Sequence, residues 1–572
     1  MRFKLSDFAV HGIFFRLFQN DGSTLDQRPN AVHYLDHMRG ECDKIKRPRT
    51  TRPCDEVGRR AANSGEPAAA EMKGQPPSSA PRSAWTSRRC PTTGTDFAFI
   101  PLKPERRPIE EGHMFVETIK SDGLAHLSYL VGSEGVAAVI DPRRDCQIYI
   151  ENARKRGCRI DYVFETHRNE DLVSGAPLLA RLTGARVCHG PNAAGDVRYA
   201  ETTHEGDRYT IGQCRIEVLE TPGHTDDSLS FALFDDETGG DAVGVFTGDA
   251  LFVGDVGRTD FYPDRATEVA GLLYDSLQKL FALGDQAIVY PAHGSGSVCG
   301  DGMASREFST LGHERRSNPS ARIRDRDTFI EKKLAEHHDQ PPYFRLMERL
   351  NLEGAEGFEE EMLRPPILQA EEFEDAREQA TVVDVRGIAD FIGAHMPGSL
   401  CLPEDMVTAF AGWLLQADEE LLVVAADLPQ AKSTLRHLYR IGHDRVRGML
   451  LTPISGWASG DREFRQLAVV DREEVARRVA GQPEDWSLLD VRDANETAEG
   501  VIPGAQTIYL GNLPEHIDAL DRSQRITVVC ESGARASIGA SLLLREGFRN
   551  VDVFLGAMGA WEESGGDLAD GR

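Results

Sequence analysis

No run in this 572-residue chain approaches the roughly 20 apolar residues that a membrane helix needs, although hydrophobic residues make up 40% of it and suffice for ordinary globular cores. Positive charge is in short supply: 65 Lys and Arg face 92 Asp and Glu, a net charge of -27. An acidic chain repels phosphate backbones and anionic lipid, so nucleic acid and membrane surfaces are poor partners. CxxC pairs are missing too. The ten cysteines are scattered at Cys42, Cys54, Cys90, Cys146, Cys158, Cys188, Cys214, Cys299, Cys401 and Cys530. That scatter argues against a disulfide framework and for a reducing compartment. With no secretory pattern and no span, the expected location is cytoplasmic. The length suggests about three to five domains.

Residues 1–113 stand apart, with 19 Lys and Arg against 14 Asp and Glu. Lys44 to Arg107 is rich in Pro, Arg, Ser and Ala and sustains no period of 2 or 3.6, which predicts disorder. A transit peptide would be poor in acids, and this segment is not. Met114 opens a strand-like run to Ile119. The expectation is a disordered or non-native extension over 1–113 and a folded chain from Met114.

From Met114 to about Gly357 the pattern predicts an α/β layered domain. Strands are expected at Leu127–Val131, Val136–Ile140, Tyr162–Glu165, Arg215–Leu219, Leu229–Leu233, Val243–Thr247 and Ala287–Tyr290. Helices are expected at Ile148–Arg156, Ala176–Leu182 and around Ala266–Leu283, with a helical appendix over 320–356. The last 200 residues contain a repeat. Val382-Val-Asp-Val-Arg386, His395-Met-Pro-Gly-Ser399, Leu421–Val424 and Gly456-Trp457 return as Leu488-Leu-Asp-Val-Arg492, Val501-Ile-Pro-Gly-Ala505, Ile526–Val529 and Ala560-Trp561. A spacing of about 105 residues means two copies of one α/β domain, since solenoid units run to roughly 20–50.

Four segments carry candidate metal ligands: Thr166-His167-Arg168-Asn169-Glu170-Asp171-Leu172, Thr221-Pro-Gly-His224-Thr225, Thr247-Gly-Asp249-Ala250 and Pro291-Ala-His293-Gly294. Each polar residue follows a strand-like run, and strand-end loops are where a scaffold gathers distant ligands. The order and spacing resemble the metallo-β-lactamase superfamily over about 200 residues, Phe115 to roughly Pro319. The superfamily's first motif, H-x-H-x-D-H, is altered twice, with Asn169 at the second His and Leu172 at the last. A dinuclear zinc hydrolase needs both. What remains, His167, His224 and Asp249, is two imidazoles and a carboxylate, the triad of non-haem Fe(II) oxygenases. These three match the iron ligands of the superfamily's persulfide dioxygenases. Gly248-Asp-Ala-Leu251 and Gly257-Arg-Thr-Asp-Phe261 match that branch as well. There the resemblance gives Arg258 the carboxylate of the thiol carrier, which suits a guanidinium fork. Asp171, His293 and Asn169 are expected as outer groups orienting the ligands. The Tyr that glutathione-using members carry after the last His is absent; Gly294-Ser-Gly-Ser-Val-Cys299 follows instead. Coenzyme A persulfide or another small persulfide is therefore a candidate carrier beside glutathione.

The second repeat copy resembles the rhodanese family over Val470 to Asp567 on the loop Cys530-Glu-Ser-Gly-Ala-Arg535, between a buried strand and a helix. Inward N–H groups and the helix N-terminus suit a thiolate and its persulfide. Cys530 is the expected nucleophile, with Arg535 holding the loop or an anionic donor. Asp490 and Arg492 are expected to be structural. The first copy carries Ala425-Ala-Asp427-Leu-Pro-Gln430 at that loop, has no cysteine there, and cannot carry sulfane sulfur.

Together these resemblances imply a metallo-β-lactamase αββα sandwich over 114–357, a degenerate rhodanese-like domain over 366–465 and a rhodanese domain over 470–572. The implied activity is oxidation of a low-molecular-weight thiol persulfide by O2 to sulfite, with sulfite or thiosulfate exchanged at Cys530. The implied cofactor is one Fe(II), with zinc left open by ligand type alone. A homo-oligomer is also left open. The competing readings are a glyoxalase-II-like zinc thioester hydrolase, a β-lactamase, and a sulfur-relay protein active only at Cys530.

Overall fold

The computed structural model describes residues 113–571 apart from 193–194, 238, 298–299, 301, 337, 356–363, 452–455 and 458–460. The expected extension over 1–113 falls outside the described residues, His113 excepted.

Two six-stranded sheets build the first half. β1 (Phe115–Ser121), β2 (His126–Ser133), β3 (Val136–Ile140), β4 (Arg159–Phe164), β5 (Arg186–His189) and β6 (Glu201–Thr202) lie side by side in chain order. β7 (Arg208–Ile211), β8 (Cys214–Glu220), β9 (Leu229–Asp235), β10 (Ala242–Gly248), β11 (Ile288–Pro291) and β12 (Ser309–Thr310) do the same in the second sheet. Alternation along β2 explains the layering. Tyr129 and Val131 point into the core between the sheets with Phe164, Phe231 and Phe246, while Leu130 packs with Tyr149 and Leu179 of outer helices. Those helices are Gln147–Lys155 and Ala176–Thr183. On the opposite face, helix Ala266–Phe281 places Leu273, Leu277 and Leu280 against Val245 and Val289. The result is the expected αββα sandwich. The β2–β3 hairpin turns on Glu134 and Gly135, both at positive φ (48° and 79°), as a tight two-residue turn demands.

The repeat reappears as two parallel sheets. β13 (Thr381–Asp384), β14 (Leu400–Cys401), β15 (Leu421–Val424) and β16 (Val446–Leu450) are ordered β14-β13-β15-β16. β17 (Ala468–Val470), β18 (Trp486–Asp490), β19 (Ala505–Thr507), β20 (Arg525–Val529) and β21 (Val551–Phe554) are ordered β17-β21-β20-β18-β19. Read from β19, the second order is the first with one strand added. The central runs Leu421–Val424 and Ile526–Val529 are buried throughout, as parallel strands covered on both faces must be. Each copy holds a buried Asp–Arg fork, Arg386 on Asp384 and Arg492 on Asp490, whose Arg also caps the carbonyl of Ala394 or Gly500. Asp490 and Arg492 are thus bonded to one another and to the backbone.

The expected helical appendix is two helices, Arg326–Leu334 and Phe344–Glu353. The second packs Phe344 and Met347 into a core that runs on through both parallel sheets. Six of the ten cysteines are described, and all six are free. Among the described residues no helix is long and apolar enough to cross a membrane.

Candidate metal centre and sulfur site

The loop after β4 begins with Thr166, whose N–H and hydroxyl both donate to the Asp141 carboxylate (2.7 and 2.9 Å). Its one hydroxyl proton being spent, Oγ1 accepts from His167 Nδ1 at 2.8 Å. His224 Nδ1 is 3.1 Å from the Arg258 carbonyl, which can only accept. Both rings therefore carry their proton on Nδ1 and turn a lone pair on Nε2 toward the same point.

Two carboxylates meet them there. Glu170 Oε2 lies 3.8 Å from His167 Nε2 and 3.6 Å from His224 Nε2. Asp249 Oδ2 lies 4.0 and 3.5 Å from the same nitrogens. Among the described residues, His167, Glu170 and His224 offer one ligand atom each, all within 4.8 Å of one another. Glu170 was not anticipated. It occupies a filler position of the motif, and only its complete burial three residues after His167 signals a role.

His293 lies behind Asp249. Its Nδ1 is 2.8 and 3.0 Å from the two Asp249 oxygens, and its Nε2 is 3.0 Å from Asp171 Oδ2. Burial would lower the imidazole's pKa, but the flanking Asp171 and Asp249 charges outweigh it and hold the ring protonated. Burial likewise acts to raise Asp249; the charge and hydrogen bond of His293 outweigh that and hold its carboxyl well below the usual carboxylate range. Asp171 and His293 thus form a buried chain ending on Asp249. Asn169 lies differently: its amide oxygen accepts from the N–H groups of Asp171 and Leu172 (3.0 and 3.1 Å), so it shapes the loop. Leu172 is buried in the shared core.

Arg258 departs from expectation. Its fork is closed on Asp260, with Nε to Oδ1 at 2.7 Å and Nη2 to Oδ2 at 2.6 Å, and the side chain is 1% exposed. A fork filled from within the chain is not poised for a carrier carboxylate; what Arg258 gives the site is its carbonyl, on His224. A cavity of about 340 Å³ is lined by His126, Leu127, His293, Gly294, Met303 and Arg306, among others. It touches His293, behind Asp249. Phe261 sits edge-on against His224, ring centroids 5.2 Å apart.

The residues suit a metal ion. His224 Nε2 and Glu170 Oε2 are buried and have no hydrogen-bond partner, a costly arrangement unless something binds there. Imidazole nitrogens with carboxylate oxygens suit iron and zinc alike.

Some distance along the chain, Cys530 directly follows β20. Its sulfur accepts from the N–H of Gly533 at 3.1 Å and of Ala536 at 3.3 Å, at the start of helix Ala534–Arg545. Arg535 closes a two-pronged ion pair on Glu496, Nη2 to Oε1 at 2.6 Å, so it holds the loop. At the matching loop of the first copy, Gln430 Oε1 takes the Ala426 N–H at 2.8 Å and Asp427 caps the helix; there is no sulfur.

The metallo-β-lactamase superfamily model matches residues 121–293, and the rhodanese-like domain model matches 471–564. The mitochondrial persulfide dioxygenase ETHE1 of Bos taurus is 30% identical over 203 residues, 34% of this chain and 70% of that protein. The chain belongs to the metallo-β-lactamase superfamily. Within it the chain is persulfide dioxygenase-like and carries a C-terminal rhodanese-like domain. A hydroxyacylglutathione hydrolase of Brucella anthropi is 36% identical over 24% of this chain and 50% of that one. The chain spans about half the length of several such curated relatives. Among solved structures, a metallo-β-lactamase from Staphylococcus aureus subsp. aureus COL superposes with a TM-score of 0.54 at 28% identity, covering 59% of this chain and 98% of that one. As a superfamily fold, the first half is a metal-binding scaffold.

Proposed function

We propose that this chain is a mononuclear Fe(II) persulfide dioxygenase coupled to a sulfurtransferase, in three domains: 114–357 oxidises the persulfide, 366–465 is a degenerate rhodanese-like copy with no cysteine in its loop, and 470–572 transfers sulfur at Cys530. The observation that carries it is the state of the positions a second metal would need. Leu172 is core, the Asn169 amide oxygen is taken by two backbone N–H groups, and Asp171 Oδ2 lies in ion-pair contact with His293 Nε2 at 3.0 Å. One cluster is left, with His167, His224 and a carboxylate from Asp249 or Glu170 to hold one ion.

A bound Fe(II) would supply O2 activation and Lewis acidity. The chain's own residues do the rest. Thr166 and the Arg258 carbonyl keep both Nε2 atoms free as donors. The His293 cation keeps Asp249 ionised. Phe261 packs edge-on against His224, and the 340 Å³ cavity beside His293 is of a size for a small persulfide. The overall reaction consumes RSSH, O2 and water and releases RSH, sulfite and two protons. At Cys530, two N–H groups and a helix N-terminus stabilise the thiolate, and a persulfide there hands its outer sulfur to sulfite as thiosulfate, returning the thiolate.

The test is O2 consumption by Fe(II)-loaded protein given glutathione persulfide and coenzyme A persulfide in turn, with sulfite measured. Uptake matched to sulfite is expected, and His224→Ala should lose both iron and uptake. No uptake at full iron occupancy would leave the sulfur relay at Cys530. The identity to hydroxyacylglutathione hydrolases favours a second reading, a zinc thioester hydrolase, which predicts two metals per chain and thioester turnover without O2.

A further inference from the structure

The loop carrying His167, Glu170 and Asp171 is held largely from outside its own sheet. Val173 N–H donates to the carbonyl of Arg440, in the first copy, at 2.8 Å. The Tyr343 hydroxyl donates to the Asp171 carbonyl at 3.1 Å. Asn351 Nδ2 donates to the carbonyls of Asn169 and Leu172 (2.7 and 2.8 Å), and its Oδ1 accepts from Ser174 N–H at 2.8 Å. Tyr343 in turn rests on the copy: a methyl group at Gly412 would fall 2.1 Å from its Cδ1, so only glycine admits the ring there.

The copy is anchored where it meets this loop. Arg440 closes a fork on Asp145 (2.8 and 2.9 Å), and Arg144 closes the reciprocal fork on Asp444 while its guanidinium lies 3.9 Å over the Tyr439 ring. Thr408 adds a hydroxyl bond to the Gly123 carbonyl at 2.7 Å. Leu172 and Val173 sit in the core the two domains share. The copy has lost its sulfur chemistry and kept its packing.

We infer that the first copy, whose loop lacks the cysteine, is part of the metal centre, and that Tyr343, seated on Gly412, is a positioning residue that sets Asp171, and through His293 sets Asp249, for metal binding. This rests on the metal-centre reading above. Turning the Asp171 backbone swings its carboxylate off His293 Nε2, and His293 is what holds Asp249. Outer groups of this kind move metal affinity by roughly 10–100-fold.

The experiment is anaerobic Co(II) titration of the full-length chain, reading affinity by chelator competition and geometry by the visible d–d bands. Tyr343→Phe removes only the hydroxyl, and Gly412→Ala displaces the ring. Both should weaken Co(II) about tenfold or more and change the bands, with Tyr343→Phe keeping the parent's melting temperature. Thr408→Ala loosens the same interface away from the ligand loop and should bind as the parent does. Parent-like affinity and bands in Tyr343→Phe overturn the proposal, even if Gly412→Ala fails to fold. His224→Ala separates the two readings. If it binds Co(II) as well as the parent, the metal centre itself is wrong and the proposal falls with it. If it binds weakly while Tyr343→Phe is unaffected, only the positioning role is lost.

Discussion

Single side chains at both sites are fixed by partners that leave them one state. Thr166 has one hydroxyl proton, and giving it to Asp141 decides which nitrogen of His167 faces the metal position. Glu496 decides the posture of Arg535 in the same way. Burial would raise the Glu496 carboxyl, but the Arg535 hydrogen bond, a hydrogen bond with Asp493 and the Arg535 charge outweigh it and pull it down to about 2. An acid with a depressed folded pKa stabilises fully above its unfolded value of about 4.3, and that stabilisation fades as pH falls toward 2. The melting temperature of Glu496→Gln should therefore trail the parent at pH 6 and converge with it between about pH 4.5 and 2. A gap independent of pH would mean that the pair contributes by packing alone.

At the scale of elements, the sulfur site depends on a strand ending in a cradle. Gly533 supplies one of the two N–H groups at Cys530 from φ 90°, and a methyl group there would lie 2.9 Å from Leu555 Cδ1 and 3.0 Å from its carbonyl. Gly533→Ala is expected to cost about 1–3 kcal/mol and to cut sulfur transfer at Cys530 while sparing O2 uptake. Thermal melts with paired assays check this; equal loss of both activities would point to general damage. Two short strands were hidden in the sequence: β5 and β7 have four residues each, and both depend on pairing with β4 or β8.

For the whole molecule, the reciprocal forks Arg440–Asp145 and Arg144–Asp444 join the sandwich to the first copy across some 295 residues of chain. Removing one partner of a buried pair costs about 3–5 kcal/mol, and Arg143 Nε at 3.2 Å from Asp145 offsets part of it. Arg440→Ala should thus lose about 2–3 kcal/mol in denaturant unfolding. An unchanged midpoint would mean that the apolar core alone holds the domains together.

The sequence by itself determined what is local. Strand periods, the Asp-Val-Arg repeat, the cysteine loop and the strand-end His and Asp residues were legible because side-chain alternation and turn position are properties of a few neighbouring residues. Tertiary structure decided the rest. It turned Glu170 inward, closed Arg258 on Asp260, and gave Leu172 a domain to pack against where a metal ligand would otherwise stand. Those outcomes depend on which distant groups arrive beside a residue once the chain is buried. Arg440 and Asp145 meet only when the copy folds back onto the sandwich, and no pattern around either residue encodes the other.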